Sequence, residues 1–285
     1  MPPPKPDLGK WIAKIPEHVV PLSKESTVAL LHYERTANDA WNLLNYFDRN
    51  VGRANIKKKV FESHLHRLRS MVVLSLVEAF ERFIKETAAV CVDQIGPHTI
   101  DDRFDVFSFK GSTFATHFAA GSLGSSLCEG HTWLNCKQIN DRFREILADP
   151  FDDRANFKVF PQRTDKTDGW RMDPMEILWQ LRHSITHNVG VITRSDAAKL
   201  RLLTKKDVPG HQLLSLSNGD VWYVKLFLDD TAKWMNDRIG QRLAVLLTTL
   251  QAADPSLFVP ADKAQEIANG FRITVTVAGA MAAPT

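Results

Sequence analysis

Apolar residues recur at helical spacing along several stretches of the chain, and proline, glycine and asparagine punctuate what lies between. Leu30, Leu31, Ala37, Trp41, Leu44 and Phe47 predict a helix from a cap at Ser26 to about Phe47, ended by Asn50, Gly52 and Asn55. A longer helix is expected from about Ile56 to Val92. Its centre, SMVVLSLVEAFERFIKETAAVCV, is apolar around most of its circumference, which assigns it to the middle of a bundle. Within it Glu78 and Arg82 are spaced for an intrahelical pair, and Glu81 and Lys85 repeat the spacing on the wetter side.

Residues 93 to 128 hold no lasting period and read as a loop or insertion. The segment GSLGSS at Gly121 to Ser126 lacks the Lys-Ser/Thr ending that a phosphate loop requires. A helix is expected from Trp133 to Leu147, with Leu134, Ile139, Phe143, Ile146 and Leu147 inward, followed by a polar, turn-rich stretch to 172. The next helix has the clearest start in the chain: Asp173 suits the N-cap, Pro174 the first helical position and Glu176 the closing position of a capping box. Asn188 and Gly190, which tolerate left-handed backbone, end it. Beyond it come a helical turn or two over Thr193 to Leu203, and a short strand, HQLLSL, closed by the turn pair Asn218-Gly219. A long helix then runs from about Asp220 to Ala252, with Tyr223, Phe227, Trp234, Leu243, Leu246, Leu247 and Leu250 among its apolar positions. A short helix near Ala264 and an extended RITVTV at 272 to 277 complete the chain. The pattern therefore predicts an all-α protein with a core of about four helices, a large irregular insertion at about 93–172 and a possible short strand pair.

Composition changes this picture little. The 285 residues are 44% hydrophobic and 24% charged, as in an ordinary globular protein. Prolines 2, 3, 4, 6, 16 and 21 make the first 25 residues an irregular arm; 26–253 then form the helical domain and 254–285 a C-terminal extension. No apolar run reaches the ~18 residues of a membrane span, and MPPPKPDLGKW has none of the marks of a signal peptide. Cys91, Cys128 and Cys136 are too few and too scattered for a disulfide framework or thiolate metal site, which points to a reducing cytoplasm.

Charge matters more by position than by sum. The net charge of +3 does not by itself indicate nucleic acid. Arg53, Lys57, Lys58 and Lys59 cluster before the long helix, and His64, His66, Arg67 and Arg69 continue along it. Such a run is either a solvated helix end or an electrostatic footprint for phosphate, with Lys57, Lys58, Lys59, Arg67 and Arg69 as its candidate RNA contacts.

The chemistry-bearing residues sit in DPMEILWQLRHSITHNVG, Asp173 to Gly190. Arg182 is always protonated, and it stands beside imidazoles of the kind that titrate near neutrality, His183 and His187. His183 and His187, four apart, share a helix face with the spacing of two metal ligands, but no glutamate adjoins His183 and no third ligand is near in sequence. Arg182 and His187 lie about 140° apart on an ideal helix. Unwinding near Asn188, or two copies meeting across a dimer axis, would bring them together.

RHSITHNVG resembles the ribonuclease motif of the HEPN domain (higher eukaryotes and prokaryotes nucleotide-binding): an arginine, a polar residue, then a histidine four to six positions after the arginine. The His-Asn-x-Gly continuation, His187 to Gly190, fits as well, and SLVEAFERFI at Ser75 to Ile84 resembles the acidic-aromatic helix of these bundles. The resemblance covers about residues 26–92 and 173–250. It implies a metal-independent endoribonuclease without cofactor, homodimeric, acting as a toxin or phage-defence effector, with an antitoxin or defence-system protein as a further partner. It assigns Arg182 to the scissile phosphate and His187 to general acid or base work, with His183 in support. Glu78 becomes the polar contact from the long helix, set against its plain reading as a partner of Arg82, and Asn188 joins as the residue after the histidine. Some members carry a tyrosine where this chain has Val189, so regulation through that residue is not implied here. The alternative is a non-catalytic helical module that binds RNA, nucleotide or a protein partner.

Overall fold

Between Leu65 and Ile95 the long apolar run is buried on most of its circumference, and most of the other described helices pack around it. The structure, a computed structural model, describes residues 28–51, 58–98, 122–152, 157–161, 169–253 and 263–272, with isolated positions 13, 16 and 104. Within them α1 spans Ala29–Tyr46 and widens into a π-helical turn at Phe47–Val51. Next come α2 (Lys58–Ile95), α3 (Leu123–Glu129), α4 (Cys136–Ile146) and α5 (Met172–His187). β1 (Val191–Ile192), α6 (Arg194–Thr204), β2 (Gln212–Leu213), α7 (Asn218–Ala253) and α8 (Lys263–Gly270) complete the order. Helices hold 79% of the described residues, which makes the protein all-α. The sheet is one antiparallel pair, Val191 opposite Leu213 and Ile192 opposite Gln212.

α2 packs against α1, α3, α4, α5 and α7, while α6 lies on the far side of α5. The main core is continuous from Tyr33, Phe80 and Phe83 through Trp133, Phe143 and Phe160 to Leu243 and Leu250. The described parts of 93–172 therefore share one core with the bundle rather than lying outside it. Tyr33 packs edge-on to Phe80 and tilted against Phe83, with ring centroids 6.0 Å from each. Its hydroxyl donates to Asp229 Oδ1 at 2.9 Å, and Lys225 Nζ donates to Asp229 Oδ2 at 2.5 Å, which ties α1 to α7. Burial, then the Asp229 charge, push the Tyr33 phenol well up, so it remains a donor.

Several expected boundaries move. Val28 is the N-cap of α1 and makes no side-chain cap bond, so the helix starts later than a Ser26 cap would place it. GSLGSS is no loop: Ser122 caps α3, its hydroxyl accepting from Ser125 N at 3.1 Å. Gly124 is needed there because a Cβ would lie 2.0 Å from Ala89 O, so α3 rests backbone to backbone on α2. Its amide donates to Asp93 Oδ1 at 2.7 Å, which fills with a carboxylate the place a phosphate would take. Asn135 caps α4 by accepting from Lys137 N and Gln138 N at 2.9 and 3.1 Å. Asn218 and Gly219 form the first turn of α7 rather than a hairpin turn; Ser217 and Asp220 cap it reciprocally. Tyr223, expected inward, is exposed. The short helix near Ala264 is α8. The 1–25 arm, apart from the isolated positions 13 and 16, lies outside the described residues, as does the RITVTV stretch beyond Arg272.

The start of α5 differs most from its expectation. A 3-10 turn, Gly169–Arg171, leads into the helix, and Arg171 is the N-cap without a side-chain cap bond. Asp173 and Pro174 thus fall inside the first turn, where a carboxylate suits the helix dipole and proline's missing N–H leaves nothing unpaired. Arg171 does the anchoring instead. Its guanidinium lies between Trp170 and Trp234, 4.6 and 4.9 Å from their centroids, and donates to Asp230 Oδ2 at 2.5 Å. That cation–π stack holds the start of α5 against α7.

Candidate functional site

α5 is amphipathic in two directions. Met175, Leu178 and Trp179 enter the main core. Ile177 and Leu181 instead pack on Ile192, Ala197 and Leu200 in a smaller cluster under α6. What remains is a stripe of Glu176, Gln180, His183 and His187, spaced four, three and four apart and so stacked along one face.

The last turns divide their polar residues between two sides. On the α6 side, Asp196 is buried and collects donors. Its Oδ2 accepts from Ser184 Oγ at 3.0 Å, Asn188 Nδ2 at 3.0 Å and Thr193 N at 3.2 Å; its Oδ1 accepts from Gln180 Nε2 at 2.8 Å. Thr193 Oγ1 in turn accepts from Asp196 N at 3.2 Å, which completes a capping box for α6. Burial pushes the Asp196 carboxyl up, but hydrogen bonds from Thr193 and Ser184, with the charge of His183, outweigh it and hold the carboxyl below its ordinary range. Asn188 Nδ2 is therefore taken up in the junction between α5 and α6.

On the open side stand Arg182, His183 and His187. Both histidines are exposed, and their ring centroids lie 4.8 Å apart. Arg182 is half-buried. Its guanidinium approaches Glu78 Oε1 at 4.0 Å, and its Nε is buried with no hydrogen-bond partner among the described residues. Glu78 thus faces α5. Its plain reading as a partner of Arg82 is not what the structure holds, because Arg82 donates to Glu86 Oε1 at 2.7 Å. The pair is exposed on its Glu78 side and contributes at most about 1 kcal/mol.

Beside this face a cleft of about 470 Å³ opens between α5, α6 and the residues before α4. Arg182 and His183 line it with Trp179, Gln180, Lys199 and Asn135. His187 does not. α5 stays helical through His187, so no unwinding swings it toward Arg182. The left-handed positions come just after, at Val189 (φ 53°) and Gly190 (φ 82°), whereas Asn188 is not left-handed. Within one chain the Arg182–His183 pair shares the cleft and the His183–His187 pair shares the stripe.

Other candidates divide in the same way. Lys58, Lys59 and Arg67 are exposed on α2. Arg69 is half-buried and has a structural bond: its Nε donates to Asn218 Oδ1 at 2.6 Å and Asn218 Nδ2 to Asp48 Oδ2 at 2.9 Å, a tie between α2, α7 and the end of α1. Lys57 and Arg53 lie outside the described residues. Among those residues no three His, Cys, Asp or Glu side chains gather as a ligand set around His183 and His187. The three cysteines are buried, and burial pushes the Cys91 thiol up and that of Cys128 up to about 12, far from a nucleophile's range. No described helix is long and apolar enough to cross a membrane. A smaller cavity of about 200 Å³ lies among α1, α2, α7 and α8, with no basic residue in its wall.

Sequence reasoning missed Asp196, Lys199, Gln180, Trp179 and Asn135. The spacing Thr193-x-x-Asp196 is a capping signal that was there to be read. The cleft is formed by a contact between residues some 45 positions apart in sequence, on the order of a span no local pattern reports. No family model, curated protein or solved structure matches the chain.

Proposed function

We propose that the chain is a metal-independent endoribonuclease of the HEPN kind, working as a homodimer, in a toxin or antiviral setting. One observation carries this reading. The last turns of α5 give their structural side-chain hydrogen bonding to Gln180, Ser184 and Asn188, and leave His183 and His187 exposed and Arg182 half-buried, all three without a protein hydrogen bond among the described residues. Exposed imidazoles beside an arginine with spare donors are what phosphodiester cleavage needs.

In this reading the 2′-oxygen of a ribose attacks phosphorus and loses its proton to one imidazole. The bond from phosphorus to the 5′-oxygen breaks, and that oxygen takes a proton from a second imidazole. The products are a 2′,3′-cyclic phosphate and a 5′-hydroxyl, and DNA is refused for want of the nucleophile. Arg182 holds charge on the non-bridging oxygens, since a guanidinium matches two of them. Because Arg182 and His187 face different ways on one intact helix, the copy of α5 from a second chain supplies the opposing histidine. Lys58, Lys59 and Arg67 give the strand an electrostatic path along α2.

The test is incubation with total RNA in EDTA, wild type beside His187→Ala and Arg182→Ala. Cleavage that survives EDTA and disappears in both variants is expected. An intact RNA pool with folded wild type would overturn the enzyme reading in favour of a module that binds RNA, nucleotide or protein on the same face. Lys58→Glu with Lys59→Glu should weaken RNA binding and flatten its dependence on salt; an unchanged slope would dismiss that stretch as a solvated helix end.

A further inference from the structure

The cleft beside Arg182 carries more recognition chemistry than phosphate cleavage requires. Its walls include Trp179 and Leu134 and are closed on the α6 side by Leu202, which is 71% exposed despite being apolar. Two side-chain amides line it, and the structure fixes which way each points. Gln180 donates through Nε2 to Asp196 Oδ1 at 2.8 Å. Asp196, held ionised by its other donors, accepts only, so the amide cannot flip without putting oxygen against oxygen. That leaves Gln180 Oε1 as an acceptor with no donor among the described residues. Asn135 is the reverse case. Its Oδ1 is taken by the amides of Lys137 and Gln138, which leaves Nδ2 as a donor with no acceptor among the described residues.

The cleft therefore presents one oriented acceptor and one oriented donor, each pinned from behind. Trp179 adds an indole N–H and Arg182 an Nε–H, both buried and unpartnered. Unpaired buried donors are costly, and a ligand that brings acceptors and displaces the neighbouring side chains slightly would satisfy them. At the rim Lys199 is exposed and makes no ion pair among the described residues, and with Arg182 it outnumbers the one carboxylate of the wall, Glu176.

A flat, partly apolar group with both donors and acceptors on its edge, attached to a negative backbone, matches these features. We propose that the cleft is a nucleobase subsite, which takes one unpaired base of single-stranded RNA next to the phosphate at the α5 histidines. The inference rests on the RNA reading of α5 and adds what that reading lacks, a source of sequence preference. An oriented donor and acceptor discriminate among bases because each base edge shows a different pattern, and a mismatched edge sets donor against donor or acceptor against acceptor. A duplex is refused, since its base edges are already paired.

The test is binding, kept apart from cleavage. Labelled 2′-fluoro hexanucleotides of the four bases lack the attacking hydroxyl, and their affinities are read by fluorescence anisotropy at one salt concentration. Wild type should prefer one base by about tenfold or more over the least favoured. Asn135→Asp keeps an equally good helix cap while replacing the donor with an acceptor, so folding is preserved. The added carboxylate charge weakens all four alike, and beyond that common loss the variant should lose about tenfold more on the preferred base than on the least favoured. Leu203 also lines the cleft, and Leu203→Trp, which narrows it, should level the four. Equal binding of all four by wild type, or a preference unchanged in Asn135→Asp, would overturn the subsite. Total-RNA cleavage in EDTA separates this from the enzyme reading. A preference that Asn135→Asp abolishes, with RNA left intact, keeps the subsite and removes the nuclease; cleaved RNA with four hexamers bound alike does the reverse.

Discussion

Ser184 and Asn188 turn toward α6, where Asp196 takes their donors; Arg182, His183 and His187, interleaved with them in sequence, make no hydrogen bond to it and keep theirs. The two sides of one helix end thus hold similar numbers of polar groups in opposite states. The inner side is hydrogen-bonded to the buried Asp196, and its residues hold α5, β1 and α6 together. The outer side is solvated and unsatisfied. The difference teaches that the polarity of RHSITHN is not one signal but two, separated by helical geometry and distinguishable by what each residue does when removed.

The largest expected effect lies on the outer side and is kinetic. His187→Ala and Arg182→Ala should each lower the rate of RNA cleavage by roughly 10²–10⁴. Their unfolding free energies in urea should stay within about 1 kcal/mol of wild type, because neither side chain holds a hydrogen bond among the described residues. A loss of stability as large as the loss of rate would erase the distinction between the two sides.

The mirror experiment is Asp196→Ala. It leaves Ser184 Oγ, Thr193 N and two amide groups without their acceptor in a buried site, and should cost about 3 kcal/mol in chemical denaturation. The folded fraction should still cleave RNA. Asp196→Asn recovers part of the loss, since an amide oxygen accepts but carries no charge.

How far the sequence reached follows the same division. α2 and α7 were legible because their apolar residues recur over many turns and no local rule opposes them. The start of α5 was misread because Asp173, Pro174 and Glu176 spell a cap that the Arg171 stack, a tertiary contact with Trp234, overrides. α3 was missed because seven residues, Leu123–Glu129, are too few to show a period, and its glycine serves a close approach to Ala89 that only the fold reveals. Arg182, His183 and His187 were found as a motif, yet which of them share a cleft depended on the helix staying intact through His187. Asn135 and Lys199 carry no local mark of a site at all.

A pH series sharpens the inner side. The folded-state pKa of Asp196 is lowered, so its ionised form is favoured by folding. That contribution is fully present above the unfolded value of 3.8 and is lost as pH falls below it through the folded value. The stability gap between wild type and Asp196→Asn should thus be constant from neutral pH down to about 5 and narrow below about 4. A gap that is flat down to pH 3 would show that the charge contributes nothing and that hydrogen-bond geometry alone holds the network.

The smallest expected effect tests the hinge between the two sides. Val189, β-branched and 77% exposed, sits at φ 53°, and Gly190 at φ 82°. Left-handed backbone strains a β-branched residue by about 1–3 kcal/mol, and the exposed side chain gains little packing in return. Val189→Gly removes the strain but adds about 0.5–1 kcal/mol of chain entropy in the unfolded state, so the net gain should be about 1 kcal/mol. Val189→Asn should gain a similar amount, because asparagine tolerates this conformation without glycine's freedom. Gly190→Ala should lose more than about 1 kcal/mol, and by strain alone, since the nearest atom to its new Cβ, Leu213 Cδ1, lies at an ordinary 3.7 Å. The turn joins His187 to Thr193 and Asp196, so a looser Val189→Gly turn should also slow RNA cleavage several-fold while raising the urea midpoint. If the glycine variant gains stability and keeps its full rate, the strain at Val189 has no part in placing His187, and the outer side is positioned by α5 alone.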